Sequence, residues 1–151
     1  MKKAIFKIYI DVCTLCRPYD DQNSLRIKFE TDAYYLILSH VRSGRFRMII
    51  SPVHFSEINA IDDEIEKTNL LSMIDRCKSD VVFDLIKIHA RAEELIKKGF
   101  GIGDAAHLAF AENSADIFIS CDDKLLKRAL KNDIEIKVLS PVQFCLLEDL
   151  K

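Results

Sequence analysis

The sequence predicts an α/β protein, a three-layer α/β/α sandwich around a central, mostly parallel sheet, on three observations. Short runs rich in β-branched and aromatic residues alternate with longer stretches of helical period, the pattern of a parallel sheet covered on both faces. Two helical stretches open with a serine followed by proline, Ser51-Pro52 and Ser140-Pro141, which places an N-cap before proline at the first helical position. The chain has 151 residues, 49% of them hydrophobic, and no Pro/Gly/Ser-rich linker or internal repeat. That suits one domain spanning 1–151 with a substantial core.

The elements follow in order. Residues 4–10 read as a buried strand, followed by a loop through Arg17-Pro18 and a long helix over 24–43 with Leu25, Phe29, Leu36 and Val41 as its apolar positions. Strand 46–50 leads into helix 52–61, then a charged helix near 64–77 and a short extended piece at Val81-Val82-Phe83. Helix 85–98 sets Leu85, Ile88, Ala92 and Leu95 against Arg91, Glu94 and Lys98 on the other face. The remainder reads as helix 104–113, strand 116–120, helix 123–131, strand 136–139 and a terminal helix. Glycine is scarce, and three of the four, Gly99, Gly101 and Gly103, mark a turn before Asp104.

No apolar stretch approaches the ~20 residues needed to cross a bilayer. The first apolar run is short, carries Lys7 and ends in Asp11, so a secretory leader is not expected and the protein is expected to be cytoplasmic. Five cysteines without framework spacing agree with a reducing compartment. The net charge of −2 excludes a strongly basic coat. It leaves room for local basic groups: Arg42, Arg45 and Arg47 around Gly44, and Lys124, Lys127, Arg128 and Lys131 on one helix, each of which also reads as a solvated face.

Four acids fall where a strand gives way to a helix or early in a helix. Asp11 ends the first strand, Glu57 lies on the helix opened by Ser51, Asp104 follows the glycine turn, and Asp122 ends the strand at 116–120. In open α/β sheets functional groups gather beyond the carboxyl ends of the strands, where Asp11 and Asp122 are placed. Asp104 and Asp122 also suit helix caps, and Glu57 suits a solvent-facing position. Asp11 is harder to explain structurally, because it ends a buried strand with no basic neighbour in sequence. Cys13-x-x-Cys16 has the spacing of a redox pair, but a lone CxxC is weak, and no second Cys/His pair completes a zinc site. His54 stands three residues before Glu57; His107 stands three after Asp104 and reads as a packed residue or one behind a ligand.

Four motifs carry a resemblance over nearly the whole chain: Ile8-Tyr9-Ile10-Asp11; Ser51-Pro52-Val53 through Ser56-Glu57-Ile58; Gly103-Asp104-Ala105-Ala106-His107-Leu108-Ala109; and Phe118-Ile119-Ser120-Cys121-Asp122-Asp123. In their order and spacing the chain resembles the PIN-domain nucleases, the group that includes VapC-type toxins. The loop Arg17-Pro18-Tyr19-Asp20-Asp21-Gln22 is similar to that of a prokaryotic subgroup. The resemblance implies a PIN-like fold with Asp11, Glu57, Asp104 and Asp122 in the acidic positions and Ser120 in the Ser/Thr position two before the last acid. It departs after Asp11, where the family has Thr or Ser and then Asn and this chain has Val12-Cys13.

Hydrolysis of a phosphodiester needs an activated water and positive charge at the phosphoryl and departing oxygens, which divalent cations supply. Mg²⁺ and Mn²⁺ prefer carboxylate and water oxygens. Asp11, Asp104 and Asp122 are therefore the expected ligands of Mg²⁺ or Mn²⁺, and Glu57 is expected to orient or deprotonate the water. Ser120 and Asp123 stand behind these ligands, with Asp123 read first as a helix cap and otherwise as a sharer of the metal or a solvent-facing residue. Arg17 and Lys124 are expected to hold substrate phosphates. The expected function is a metal-dependent endoribonuclease acting on RNA, with a toxin paired to an antitoxin protein, and a homodimer, within what the resemblance allows. The alternatives are a catalytically weak PIN-like module that binds RNA or protein, and a thiol oxidoreductase built on Cys13 and Cys16.

Overall fold

The computed structural model describes residues 5–77 and 81–151. Strand β1 (Phe6–Ile10) is followed by α1 (Val12–Leu15), a 3-10 turn (Arg17–Tyr19) and the long α2 (Leu25–Arg42). Then come β2 (Phe46–Met48), α3 (Pro52–Asn59), α4 (Glu64–Cys77), α5 (Leu85–Lys97) and α6 (Ile102–Ser114). The chain ends with β3 (Ile117–Ile119), α7 (Asp123–Lys131), β4 (Lys137–Leu139) and α8 (Pro141–Leu147). Ala4, the first residue of the expected first strand, lies outside the described residues.

All strand pairs are parallel, in the order β2-β1-β3-β4. Two apolar clusters fill the space on either side, and the alternation of a strand decides which residue joins which. Ile8, Ile10, Met48, Ile117 and Ile119 pack with Tyr34, Ile37 and Leu38 of α2, Met73 and Ile74 of α4 and Phe144 of α8. Tyr9, Ile49 and Phe118 face the other way onto Ile88, Leu95, Leu108, Phe110 and Leu125. The three-layer α/β/α architecture expected from the alternation is the one observed.

Several details differ from the sequence reading. Leu25 and Phe29 are exposed, at 68% and 56%, and the buried face of α2 runs instead through Glu30, Ala33, Tyr34, Ile37 and Leu38. The long helix lies across the sheet with its middle, so its first turn overhangs the core. Leu85 is likewise exposed in the first turn of α5. Val81-Val82-Phe83 forms no strand: Phe83 turns inward to Phe110, with ring centroids 5.0 Å apart, and Val82 faces outward. Helix α6 begins at Ile102 with Gly101 as N-cap, so Asp104 stands inside the first turn and is not the cap. The loop after Asp11 holds α1 and the 3-10 turn. Gln22 donates to the carbonyls of Arg17 (2.8 Å) and Asp20 (3.0 Å), which gives the Asp20-Asp21-Gln22 loop the task of closing that turn.

β1 has β2 on one side and β3 on the other, so connections leave it in opposite directions. That is the topological switch point of a parallel sheet, where a crevice opens beyond the carboxyl ends of the strands. Asp11 and Asp122 lie on this edge.

Candidate active site

Asp11 continues β1, its N–H bonded to the carbonyl of Ile119 at 3.2 Å, and it caps α1. Its carboxylate is buried and surrounded by donors. Oδ1 accepts from the Thr14 hydroxyl (2.6 Å) and the Thr14 N–H (3.2 Å); Oδ2 accepts from the Ser120 hydroxyl (2.6 Å) and the Cys13 thiol (3.2 Å). Those hydroxyls accept in turn from the turn after β3: Cys121 N–H donates to Thr14 Oγ1 and Asp122 N–H to Ser120 Oγ, both at 3.0 Å. Thr14, three residues beyond Asp11, thus brings a hydroxyl onto the carboxylate. Burial raises the pKa of Asp11, and the bonds from Ser120, Thr14 and Cys13 oppose the rise.

A second network runs behind Glu57. His107 Nε2 lies 2.6 Å from Glu57 Oε1, His107 Nδ1 lies 2.6 Å from the Tyr9 hydroxyl, and that hydroxyl lies 2.6 Å from Ser51 Oγ. Ionised Glu57 needs a donor, which fixes the proton on His107 Nε2 and, with a neutral ring, leaves Nδ1 to accept from Tyr9. The chain is buried up to Glu57, whose side chain is 41% exposed. The bond from His107 lowers the pKa of Glu57, so the group is an anchored carboxylate, suited to orienting a water more than to removing its proton. His54, three residues before Glu57, is not placed to share a metal with it. Its Nδ1 accepts from Ser51 N–H (3.0 Å) and its Nε2 donates to the carbonyl of Ile10 (2.7 Å), so both nitrogens are spent.

Removing the Tyr9 hydroxyl leaves His107 Nδ1 and Ser51 Oγ facing a void. Tyr9→Phe should cost about 2 kcal/mol of unfolding free energy. Urea denaturation measures it, and a loss below ~0.5 kcal/mol would mean that the network reorganises around the gap.

Asp104 is half-buried and accepts no hydrogen bond from the described residues. Burial raises its pKa first, and the charges of Asp122, Asp11 and Glu57 raise it further, partly offset by His107. Asp122 caps α7 with Oδ1, which accepts from the N–H groups of Lys124 (2.9 Å) and Leu125 (3.3 Å). Gly103 brings the first turn of α6 against Glu57: a Cβ built there would stand 3.5 Å from Glu57 Oε1. The four sequence-predicted acids thus share one edge and one electrostatic field. Among the described residues no three His, Cys, Asp or Glu side chains converge closely enough to form a ready-made metal cage. The donor set nevertheless fits a hard divalent cation, because it is all carboxylate oxygen and because Asp104 is left with like charges and no hydrogen-bond donor.

Other expected residues are engaged elsewhere. Asp123 does not cap α7; it lines the same cavity as Asp122 and forms a two-point ion pair with Arg26 at 2.6 and 2.7 Å. Arg17 spans Asp20 (3.0 Å) and the buried Glu30 (3.3 Å), so much of its charge is neutralised before any phosphate arrives. Arg26 also bonds Glu30, at 3.2 Å, an i,i+4 pair on α2, while its pairing with Asp123, 97 residues away, had no sequence signal. Arg17, Arg26, Lys124, Asp122 and Cys13 line one open cavity of about 530 Å³. Lys124 is exposed there and is the freer of the two expected phosphate-binding cations.

The fold matches the crystal structure of FitAcB from Neisseria gonorrhoeae, with a TM-score of 0.52 over 89% of this chain and 98% of that one. The fold is PIN-like. At 14% sequence identity the likeness shows the fold alone. No protein-family model matches the chain, and no curated protein matches it. No helix among the described residues is long and apolar enough to cross a membrane.

The thiols are poorly placed for redox chemistry. Burial and then the Asp11 charge push the Cys13 thiol up; burial and Glu66 push Cys16 up to about 12. Neither holds a useful thiolate near neutrality. Cys16 should accordingly react slowly with a disulfide probe at pH 7, and rapid labelling of Cys16 in the folded protein would restore a thiol mechanism.

Proposed function

We propose that the protein is a metal-dependent endoribonuclease that hydrolyses RNA phosphodiester bonds at the edge formed by Asp11, Glu57, Asp104 and Asp122. The observation that carries the reading is Asp104: a half-buried carboxylate with no hydrogen-bond donor, whose ionisation is opposed by three neighbouring acids. Such an arrangement is costly to the protein by itself and suits a cation. Asp11, Asp104 and Asp122 would hold Mg²⁺ or Mn²⁺. When bound, the ion supplies positive charge for the phosphoryl oxygens and activation of water.

The chain's own groups do the rest. Ser120 and Thr14 fix the carboxylate plane of Asp11, and the α7 backbone fixes Asp122. His107, held by Tyr9, points Glu57 at the site, where its ionised carboxylate orients the attacking water. Lys124 and the remaining charge of Arg17 attract the phosphate backbone. The motif resemblance extends this reading to a toxin restrained by an antitoxin protein, for which a neighbouring short reading frame encoding a DNA-binding protein is the sign to seek.

A second reading, a catalytically weak RNA- or protein-binding module, draws on the saturation of Asp11: both of its oxygens are already bonded. One assay separates them. Purified protein should cut a labelled single-stranded RNA with Mn²⁺ or Mg²⁺ and leave it intact in EDTA. Binding of that RNA without cleavage under any metal condition would favour the binding module.

A further inference from the structure

We propose that the groove between α2, α4 and the edge strand β2 is a track for single-stranded RNA that leads away from the acidic edge. This rests on the ribonuclease reading of that edge. A cavity of about 570 Å³ is lined by Arg42, Arg47 and Arg76 over a floor that includes Phe46, Met48 and Met73. A second cavity, of about 220 Å³, shares Arg42, Arg76 and Met73 with the first and is walled by Tyr19, Tyr34 and Tyr35. The two are therefore one groove. Tyr19 and Tyr35 are exposed at 43% and 53%. Arg42, Arg47 and Arg76 form no ion pair with a described acid, whereas Arg17, Arg26, Arg45 and Arg91 all do.

Each arginine has a local explanation. Arg42 and Arg76 stand in the last turns of α2 and α4, where a cation offsets the negative end of the helix dipole, and Arg47 puts a charge on an edge strand. None of these explains why all three share a cavity that continues into exposed tyrosine rings. Guanidinium groups for phosphates, with aromatic faces on which bases stack, is the composition of a single-strand binding surface, since only unpaired bases reach such rings. The 3-10 turn links one wall of the groove to the acidic edge. Tyr19 ends the 3-10 turn that Arg17 begins, and Arg17 lines the cavity that holds Asp122 and Lys124. A strand cut at an edge that repels phosphate needs purchase beyond it, and the Arg17–Tyr19 turn is the step from that edge to the groove.

The test uses the full chain in EDTA and a fluorescein-labelled fifteen-nucleotide oligouridine, with anisotropy read at several salt concentrations. Neutralising the arginines together (Arg42→Gln, Arg47→Gln, Arg76→Gln) should weaken binding about tenfold or more and flatten the log–log salt slope by ~2, from ~0.7 per phosphate contact. Replacing the rings (Tyr19→Ala with Tyr35→Ala) should weaken binding at an unchanged slope. With Mn²⁺, cleavage of a trinucleotide too short to reach the groove should stay within twofold of the parent in the arginine variant, while cleavage of the fifteen-mer falls.

Unchanged affinity and slope in the arginine variant would overturn the track. So would equal losses on trinucleotide and fifteen-mer, or a parent that binds an acidic peptide and not the RNA. If the parent fails to cut even the trinucleotide, the ribonuclease reading falls on that result alone, and the anisotropy series still decides the groove.

Discussion

Asp104→Asn is expected to lower metal-dependent cleavage by about 100- to 1000-fold, the scale of losing one preorganised electrostatic group, while raising stability in EDTA. Its folded pKa lies above the ordinary value of 3.8, through burial and then through Asp122, Asp11 and Glu57. Between 3.8 and the folded value, the folded protein holds a proton that the unfolded chain has released. The group's contribution is therefore most favourable below 3.8, falls as pH rises through that window, and remains a penalty at neutrality. Asparagine removes the penalty and breaks no hydrogen bond, because Asp104 accepts none from the described residues. Mn²⁺ should stabilise the parent by binding only the folded form, ~2.7 kcal/mol at a hundred times its Kd, and the variant should lose most of that gain. Thermal scans in EDTA and in Mn²⁺, beside a cleavage assay, read all three effects. A variant destabilised in EDTA with the full Mn²⁺ increment would make Asp104 a structural residue.

Asp11 does not offer so clean an experiment. Burial alone would favour Asp11→Asn in EDTA, as it does Asp104→Asn, but the Asp11 carboxylate accepts from Thr14, Ser120 and Cys13 at once. An amide turns one of its acceptors into a donor facing those donors. Its substitution therefore mixes loss of a ligand with loss of the joint between β1, α1 and the turn after β3.

That contrast marks what the sequence could reveal. The alternation of strands and helices, the Ser-Pro helix starts and the order of the four acids were all readable, because each depends on local pattern or on chain order. The strand order β2-β1-β3-β4, which makes the edge at Asp11 a switch point, depends on long-range pairing and left no local signal. The partners of the acids were equally hidden. Thr14 at three residues beyond Asp11 had helical spacing, but α1 is only four residues long and too short to read. Tyr9 was visible as a polar tip within an apolar strand, and its partners His107 and Ser51 lie 98 and 42 residues away. The acid beside Asp122 looked like a cap because Asp favours that position; Arg26, remote in sequence, takes it instead.

Acid should weaken the fold through His54, by about 3 kcal/mol at full effect. Burial, and then the neighbouring His107, lower its pKa from 6.5 to about 4. The direction follows from the bonds: Ser51 N–H points at Nδ1, so a proton there would set two donors face to face inside a fully buried pocket. Between about 4 and 6.5 the unfolded chain takes up a proton that the folded protein refuses, and stability rises with pH across that window. About 2 kcal/mol of the change should appear between pH 7 and pH 5. Asp11 and Asp104 contribute with the opposite sign, so the parent alone does not isolate the histidine. His54→Gln keeps those acids and removes the ring. Urea midpoints for both proteins at pH 7 and pH 5 should show a parent that loses stability on acidification and a variant, weaker at pH 7, that loses about 2 kcal/mol less. Equal losses in the two proteins would mean that the ring accepts its proton within the folded state, and that the Ser51 N–H yields to let it.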